Sequence, residues 1–353
     1  MNTPPSFANP YRGIVDPFPY IYSPATAKFS YPMSLFTVPG LTLRAPYIHQ
    51  VNLTVEKALP GGMILKAGYV GKLEHNLLQM IQKNPAVYGP GATLANTDQR
   101  RILLPGIYSS FREIDTNSNG AYHSLESSLS RRFSHGLTFL ASYTWGKLLD
   151  YYSAQNLGQT PQDPYNERAD RARSDEDRNH VFSGSFVYEI PFLQGRKGWM
   201  PRAFGGWSLS GLVTKASGLP VYVISGRDYS LTAVGFDRPN LVGNPTRSHT
   251  STADFIQQYF NTAAFVPNQP GRYGSAARNL FSGPGPSNVD LSLVKSFPIS
   301  ERLGKLQFRS EFFNTLNHAR FGQPDGNLNN KTFGQIQTAA DPRIIQFALR
   351  YQF

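Results

Sequence analysis

The stretch Leu125-Glu126-Ser127-Ser128-Leu129-Ser130-Arg131-Arg132-Phe133-Ser134-His135-Gly136-Leu137-Thr138-Phe139-Leu140-Ala141-Ser142-Tyr143-Thr144-Trp145 decides how the rest of the chain is read. Leu125, Leu129 and Phe133 share one parity; Ser124, Glu126, Ser128 and Arg132 share the other. Ser134-His135-Gly136 interrupts the run, and Leu137, Phe139, Ala141, Tyr143 and Trp145 then recur at every second position against Thr138, Ser142 and Thr144. Successive side chains of a strand point to opposite faces, so a period of two predicts a hairpin with one apolar and one wet face. The wet face is small and hydroxylated, as the lining of a water-filled lumen is, and Tyr143 with Trp145 suits a membrane interface.

The same texture extends in both directions. Val51, Leu53 and Val55 alternate with Asn52, Thr54 and Glu56; Pro60-Gly61-Gly62 turns the chain, and Leu65, Ala67 and Tyr69 return. Further strands are predicted at Phe182–Ile190 (Phe182, Phe186, Tyr188 and Ile190 on one face), Trp207–Val213 and Val221–Ile224. Val289, Leu291 and Leu293 follow, then Leu306, Phe308 and Phe312 against Gln307, Arg309 and Glu311. The last strand sets Ile345, Phe347, Leu349, Tyr351 and Phe353 against Gln346, Arg350 and Gln352. This makes about ten segments of about ten residues, the length that a tilted membrane strand needs. The turns at 60–62, 134–136 and near 300–304 are short, whereas the links at about 78–106, 150–179 and 226–287 are long. Compact soluble domains avoid three irregular loops of that size. Outer-membrane barrels have short turns at one end and long loops at the other. Residues 1–46 carry nine prolines and read as an extended or loop-like segment before a barrel region at 47–353. A short helix is expected over 251–260.

Composition agrees. Aromatics make 13% of the 353 residues and charged residues only 16%, below the roughly 25% of soluble domains. Mean hydropathy is negative, and no window approaches the ~20 apolar residues of a spanning helix. The net charge of +11 reads as a mildly basic surface rather than a nucleic-acid site, because no basic run exceeds two residues. Absence of cysteine excludes disulfides, thiol nucleophiles and thiolate metal sites. Met1 to Tyr20 holds five prolines and no apolar run of the ~7–15 residues in a secretory signal. An outer-membrane protein needs such a signal, so the chain is expected to begin inside a longer protein.

Sites for chemistry are weak. Residues 163–178 hold six acids (Asp163, Glu167, Asp170, Asp175, Glu176, Asp177) and four arginines. Asp175, Glu176 and Asp177 offer clustered oxygen ligands to Ca²⁺, but pairing with Arg171, Arg173 and Arg178 is the favoured reading. His180 near Asp177 is a lone pair in a loop, and the histidines have no metal-ligand spacing. Ser217-Gly218 and Ser282-Gly283 lack a nucleophile elbow. No catalytic residue, cofactor or metal site is expected, and the chain reads as non-enzymatic. The candidate residues are structural in kind: Tyr143, Trp145, Tyr188, Trp207, Phe308, Phe347 and Tyr351 as interface aromatics, and Arg309, Glu311 and Arg350 as lumen charges. Small residues expected to face inward include Ser124, Ser128, Ser142, Thr144, Ser292 and Ser310 or its neighbours.

Arg278-Asn279-Leu280-Phe281-Ser282-Gly283-Pro284-Gly285 with Asn288-Val289-Asp290-Leu291-Ser292-Leu293-Val294-Lys295-Ser296-Phe297 resembles Oar-like TonB-dependent receptor barrels. So does Phe308-Arg309-Ser310-Glu311-Phe312-Phe313-Asn314-Thr315-Leu316-Asn317-His318. Tyr143-Thr144-Trp145-Gly146-Lys147, Gly218-Leu219-Pro220, Asp175–His180 and Tyr188-Glu189-Ile190-Pro191-Phe192 are similar to the same family's barrel, in the same order, over most of 47–353. The resemblance implies a C-terminal part of a plugged barrel of roughly 22 strands. It implies outer-membrane lipid around it and a periplasmic TonB-type energy transducer acting through a missing N-terminal plug. It also implies a transported ligand that the sequence does not name. Leu349, Tyr351 and Phe353 resemble the terminal signal read by the barrel assembly machinery. With about ten strands the sheet is expected to stay open at both edges. The rival expectations are a surface adhesion protein on the same scaffold and a soluble secreted polysaccharide-binding β-protein.

Overall fold

In the computed structural model, residues 11, 30–153, 161–192, 198–235, 237–300 and 304–353 are described. The strands run β1 Met33–Pro39, β2 Tyr47–Leu59, β3 Met63–Gln82, β4 Tyr108–Ser134, β5 Leu137–Asp150, β6 Ala172–Arg173, β7 His180–Glu189 and β8 Trp207–Ala216. They continue as β9 Pro220–Val221, β10 Asn240–Leu241, β11 Phe265–Val266, β12 Phe281–Ser282, β13 Ser287–Ser300, β14 Gly304–Phe313 and β15 Ile344–Gln352. Helices α1 Trp199–Phe204 and α2 Thr252–Gln257 are short. The wall is an antiparallel sheet in the order β15-β14-β13-β8-β7-β5-β4-β3-β2, with β1 and β6 pairing onto β4 and β5. Among the described residues, β2 and β15 are its two edges and do not pair with each other, so the barrel is partial.

Register carries the alternation across every strand. Leu137 faces Tyr188, then Leu209, Leu293, Ser310 and Phe347 in one unbroken row. The adjacent row is Thr138, Val187, Ser210, Ser292, Glu311 and Gln346. At the other side Leu53 faces Tyr69, which faces Leu125, which faces Trp145. A slip of one residue anywhere would send a strand's apolar set to the wet face, so hydrophobic patterning itself holds the pairing. Two details tighten it. His135 (φ 53°) and Gly136 (φ 79°) both take left-handed backbone, the two-residue turn that matches strand twist. At Gly211 a Cβ would lie 2.5 Å from the Phe186 ring and 2.8 Å from Leu291, so glycine lets both pack over the sheet.

Four connections (60–62, 135–136, 190–206 and 301–303) join strands at one end, and four longer ones (83–107, 151–179, 217–286 and 314–343) at the other. The turn expected near 300–304 falls on 301–303, outside the described residues, as does most of 1–46. The long link at 314–343 was not anticipated from sequence.

Other expectations are corrected. β3 and β4 are 20 and 27 residues long, not about ten. At about 3.4 Å per residue β4 reaches roughly 90 Å, far beyond a bilayer, so its upper half stands in water. There β1 takes the ladder position beyond the end of β5. Val221–Ile224 is not a wall strand: Pro220–Val221 pairs with β12, and Val221 and Val223 are buried in a separate core.

That core lies among the long links, which were read as irregular loops. Val221, Val223, Phe260, Ala264, Phe265, Ala276 and Phe281 are buried together, with Leu328 and Phe333 packed against them. Residues 314–343 are tied in by Leu328 N–H donating to the Ile224 carbonyl and Ile336 N–H to that of Ile256. The 83–107 link joins through Ala86 N–H to the Thr232 carbonyl and the Arg100 guanidinium to that of Leu231. The long links thus form one folded cap over the sheet's end. Its helix α2 starts at Ser251, whose hydroxyl accepts from Asp254 N–H at 3.1 Å.

The row assignment makes a direct prediction. Leu293→Arg, mid-strand on the apolar face, should cost about 2–4 kcal/mol, while Ser292→Arg on the wet face should be far milder. Unfolding free energies in lipid vesicles check this; equal losses at both positions would mean that the wall is buried on both sides.

Candidate functional site

The wet face of the wall is lined by hydroxyls: Thr54, Ser124, Ser128, Ser142, Thr144, Ser183, Ser185, Ser210 and Ser292 share its parity. Ser310 does not; it lies between Leu293 and Phe347 on the apolar face, because β14 pairs there through its even-numbered residues. A concavity of about 270 Å³ sits on the wet face among Thr54, Lys66, Gly68, Glu126, Ser128 and Ser142. Arg309 and Glu311 do share this face, but they pair along one strand at 3.4 Å rather than across a lumen. Both are partly exposed, so that pair contributes little to stability. Arg350 lies on the same face of the edge strand, opposite Gln307.

The aromatic residues divide by height. Tyr188 and Trp207 lie at the short-turn ends of β7 and β8, and Tyr351 at that of β15. Tyr143 and Trp145 lie toward the long-loop end, where Tyr143 Oη is 2.8 Å from His180 Nδ1. Phe347 is fourth in the nine residues of β15 and stacks on Phe308 at 6.1 Å. Leu349, Tyr351 and Phe353 continue the apolar parity to the end of β15, and all three are exposed.

Above the wall, the cap is fastened by buried charges. The Arg238 guanidinium pairs with Asp170 and that of Arg278 with Asp150, each partner nearly inaccessible. Arg278 also donates to the Asp150 carbonyl at 2.9 Å, to Ser153 Oγ at 3.1 Å and to Asp175 Oδ1 at 3.4 Å. Arg173 meets Asp177 at 2.7 Å and Ser282 Oγ at 2.9 Å. Three acids of 163–178 therefore meet arginines, but only Asp177 finds one within the tract, Arg173; Asp170 takes Arg238 from 68 positions away and Asp175 takes Arg278 from 103. Arg178 instead donates to the Ser217 carbonyl. Burial pushes the Asp237 carboxyl above the usual carboxylate range, although Ser230 donates to it from both N–H and hydroxyl. Asp177 and His180 are not joined: Asp177 accepts from Leu148 N–H, and His180 pairs with Tyr143. Ser217 and Ser282 are both occupied in structural hydrogen bonds. Among the described residues no group of three or more His, Asp or Glu is placed to hold a metal.

The cap holds one feature that sequence patterning missed, an aromatic cleft of about 480 Å³. His249, Phe255, Tyr259 and Phe321 line it, with Phe255 against Tyr259 at 5.0 Å and Phe321 at 5.4 Å. Only the spacing Phe255–Tyr259 hinted at it; His249 adds to these from the 217–286 link, and His318 and Phe321 reach it from the 314–343 link.

A family model for an outer membrane beta barrel domain matches residues 1–346, nearly the whole chain. The chain belongs to the outer membrane beta-barrel family. No curated protein sequence matches it. Among solved structures, the barrel is similar to the outer membrane transporter YddB from Escherichia coli, with a TM-score of 0.50 and 11% identity over 91% of this chain and 34% of that one. The FrpB iron transporter from Neisseria meningitidis gives 0.44 and 12%, covering 90% and 33%. The pyoverdine outer membrane receptor FpvA from Pseudomonas aeruginosa PAO1 gives 0.41 and 14%, covering 87% and 30%. The beta-barrel chain thus spans about a third of the length of these structures. The likeness to YddB is one of fold, and with the family match it places this barrel in the outer membrane.

Proposed function

We propose that this chain forms part of the wall of an energy-coupled uptake receptor of the Oar-like, TonB-dependent type, without enzymatic activity. The observation that carries the reading is the wet face. Its small hydroxylated residues leave room for a plug or a passing solute, where a narrow self-filled barrel would need large inward side chains. The ligand enters through the folded cap, whose aromatic cleft offers a first contact, and moves along the hydroxyl-lined wall. A plug domain and a periplasmic TonB-type transducer supply the gating. The barrel assembly machinery engages the Leu349, Tyr351 and Phe353 face, and outer-membrane lipid covers the apolar rows.

The chain has no cysteine, so single introduced thiols report unambiguously. Ser128→Cys and Ser292→Cys, in the protein resident in its own cells, should label slowly with a membrane-impermeant maleimide while the plug is seated. Labelling should rise several-fold on energisation and fall again with a protonophore. Fast labelling that ignores the proton gradient would show an ungated wall and sink the energy-coupled reading.

A further inference from the structure

Charge is distributed unequally between the two faces of the wall. In its regular registers the acids Glu56, Glu74, Glu126, Asp150, Glu189, Asp290 and Glu311 all lie on the wet face. The apolar face carries none among the described residues. It does carry cationic or titratable groups, and toward the long-loop end these are His49, His75, His123, Lys147, His180 and Lys215. Aromatic rings flank them: Tyr47 stacks on His75 at 4.9 Å, and Tyr69 on His123 and Tyr143 on His180 at 6.1 Å each.

One point of this belt is concave. A groove of about 410 Å³ on β3, β4 and β5 is lined by Tyr69, His123, Leu125, Trp145 and Lys147. His123 and Lys147 are direct cross-strand neighbours at its upper edge, and Leu125 and Trp145 are the next pair below them on the same face. Tyr69 Oη lies 2.7 Å from His123 Nδ1. A phenol that donates to Nδ1 leaves Nε2 as the imidazole's N–H donor. An ammonium and an N–H donor therefore stand above an aromatic and aliphatic trough. No carboxylate on that face competes for them. The long-loop end of an outer-membrane barrel is the external one, so the trough opens into the outer leaflet.

We propose that this groove is a seat for a phosphate-bearing lipid of the outer leaflet. Lys147 and His123 hold the phosphate, and Leu125, Trp145 and the Tyr69 ring hold the upper acyl chain. At the opposite rim this face carries Lys57, Arg131 and Lys295, and Lys295 is turned under the Gly205 carbonyl and over the Trp207 and Phe297 rings.

The test is native mass spectrometry of the full chain purified in mild non-ionic detergent and exposed to phosphatidylglycerol or phosphatidylcholine of identical chains. Both lipids carry the phosphate, but in phosphatidylcholine the choline ammonium already neutralises it, so charge-assisted contacts with Lys147 and His123 predict retention of phosphatidylglycerol about tenfold over phosphatidylcholine. Lys147→Gln combined with His123→Gln should abolish the preference. Lys147→Arg should keep it and so exclude a folding artefact, and Arg131→Gln at the other rim should leave it unchanged. Equal retention of the two lipids, or a preference that survives the double variant, would overturn the proposal. So would displacement of the bound lipid by inorganic phosphate alone, which would make the site one for a free anion.

Discussion

Arg278→Ala should destabilise the cap by about 3–5 kcal/mol, because it strands a buried carboxylate without its counter-charge. The guanidinium reaches Asp150 at the top of β5, Asp175 and Ser153 in the neighbouring link, and the Asp150 carbonyl. Both partners of the main pair are almost wholly buried, so solvent does little to screen the loss. A neutral substitute leaves Asp150 in a low-dielectric site without its cation, and the cap gains stability by opening to let water reach it. Arg278→Lys should recover only part of the loss. An ammonium is a point donor and cannot reproduce a fork spread over five acceptors, the Asp170 carbonyl among them. Limited proteolysis of 217–286 and hydrogen exchange across the cap measure the effect. The pairing β7-β8-β13 should be untouched, since none of its ladder hydrogen bonds involves Arg278. A cap as resistant in Arg278→Ala as in the unaltered chain would show that the pair is idle.

What could be read in the sequence, and what could not, follows from the range over which each interaction acts. The wall was legible because a strand's faces are set by its own parity: Leu137 to Trp145 announce their side without knowing their neighbours. The register then follows from matching apolar faces, so the row from Leu137 to Phe347 needed no long-range information. In β14 parity held: Ser310 shares the apolar face of Phe308 and Phe312 despite its polarity, and of Ser310 and its neighbours it is Arg309 and Glu311 that face inward. Strand length failed at β4, since 108–123 mixes Tyr, Ser, Asn and Glu without a lipid-facing stripe; above the bilayer both faces meet water or protein, and alternation is not required. The cap failed for a different reason. Its core draws Val221, Phe260 and Phe281 from the 217–286 link and Phe333 from the 314–343 link, and no periodicity joins them. Arg238 and Asp170 are 68 positions apart, a separation that leaves no local trace. Of the candidate residues, the placement of Tyr188, Trp207 and Tyr351 at strand ends was readable from their turns, whereas the place of Phe347 within β15 depended on where that strand begins.

Phe260→Ala should cost the cap about 3–5 kcal/mol, the loss expected for emptying a fully buried aromatic site. Phe260 is 1% exposed and is the hub of the cap's aromatic packing. It meets Phe281 at 5.0 Å, Phe333 at 5.1 Å and Phe265 at 5.7 Å. These rings come from three separate regions of the cap: α2 and its extension, the Phe281–Ser282 strand, and the 314–343 link. Truncation therefore leaves a cavity that no single segment can collapse into, since each is held by its own hydrogen bonds, among them Tyr259 N–H to the Gly334 carbonyl. Phe260→Leu keeps much of the volume and should lose far less. The effect should be local. The wall is held by ladder hydrogen bonds, none of which involves Phe260, so strand protection should stay as it was while exchange in 252–286 and 325–336 rises together. The aromatic cleft should widen at the same time, because Tyr259 is one of its walls and is the residue next to the vacancy. Loss of protection confined to residues beside Phe260, with 325–336 unchanged, would mean that the cap is a set of independent loops rather than one cooperative unit.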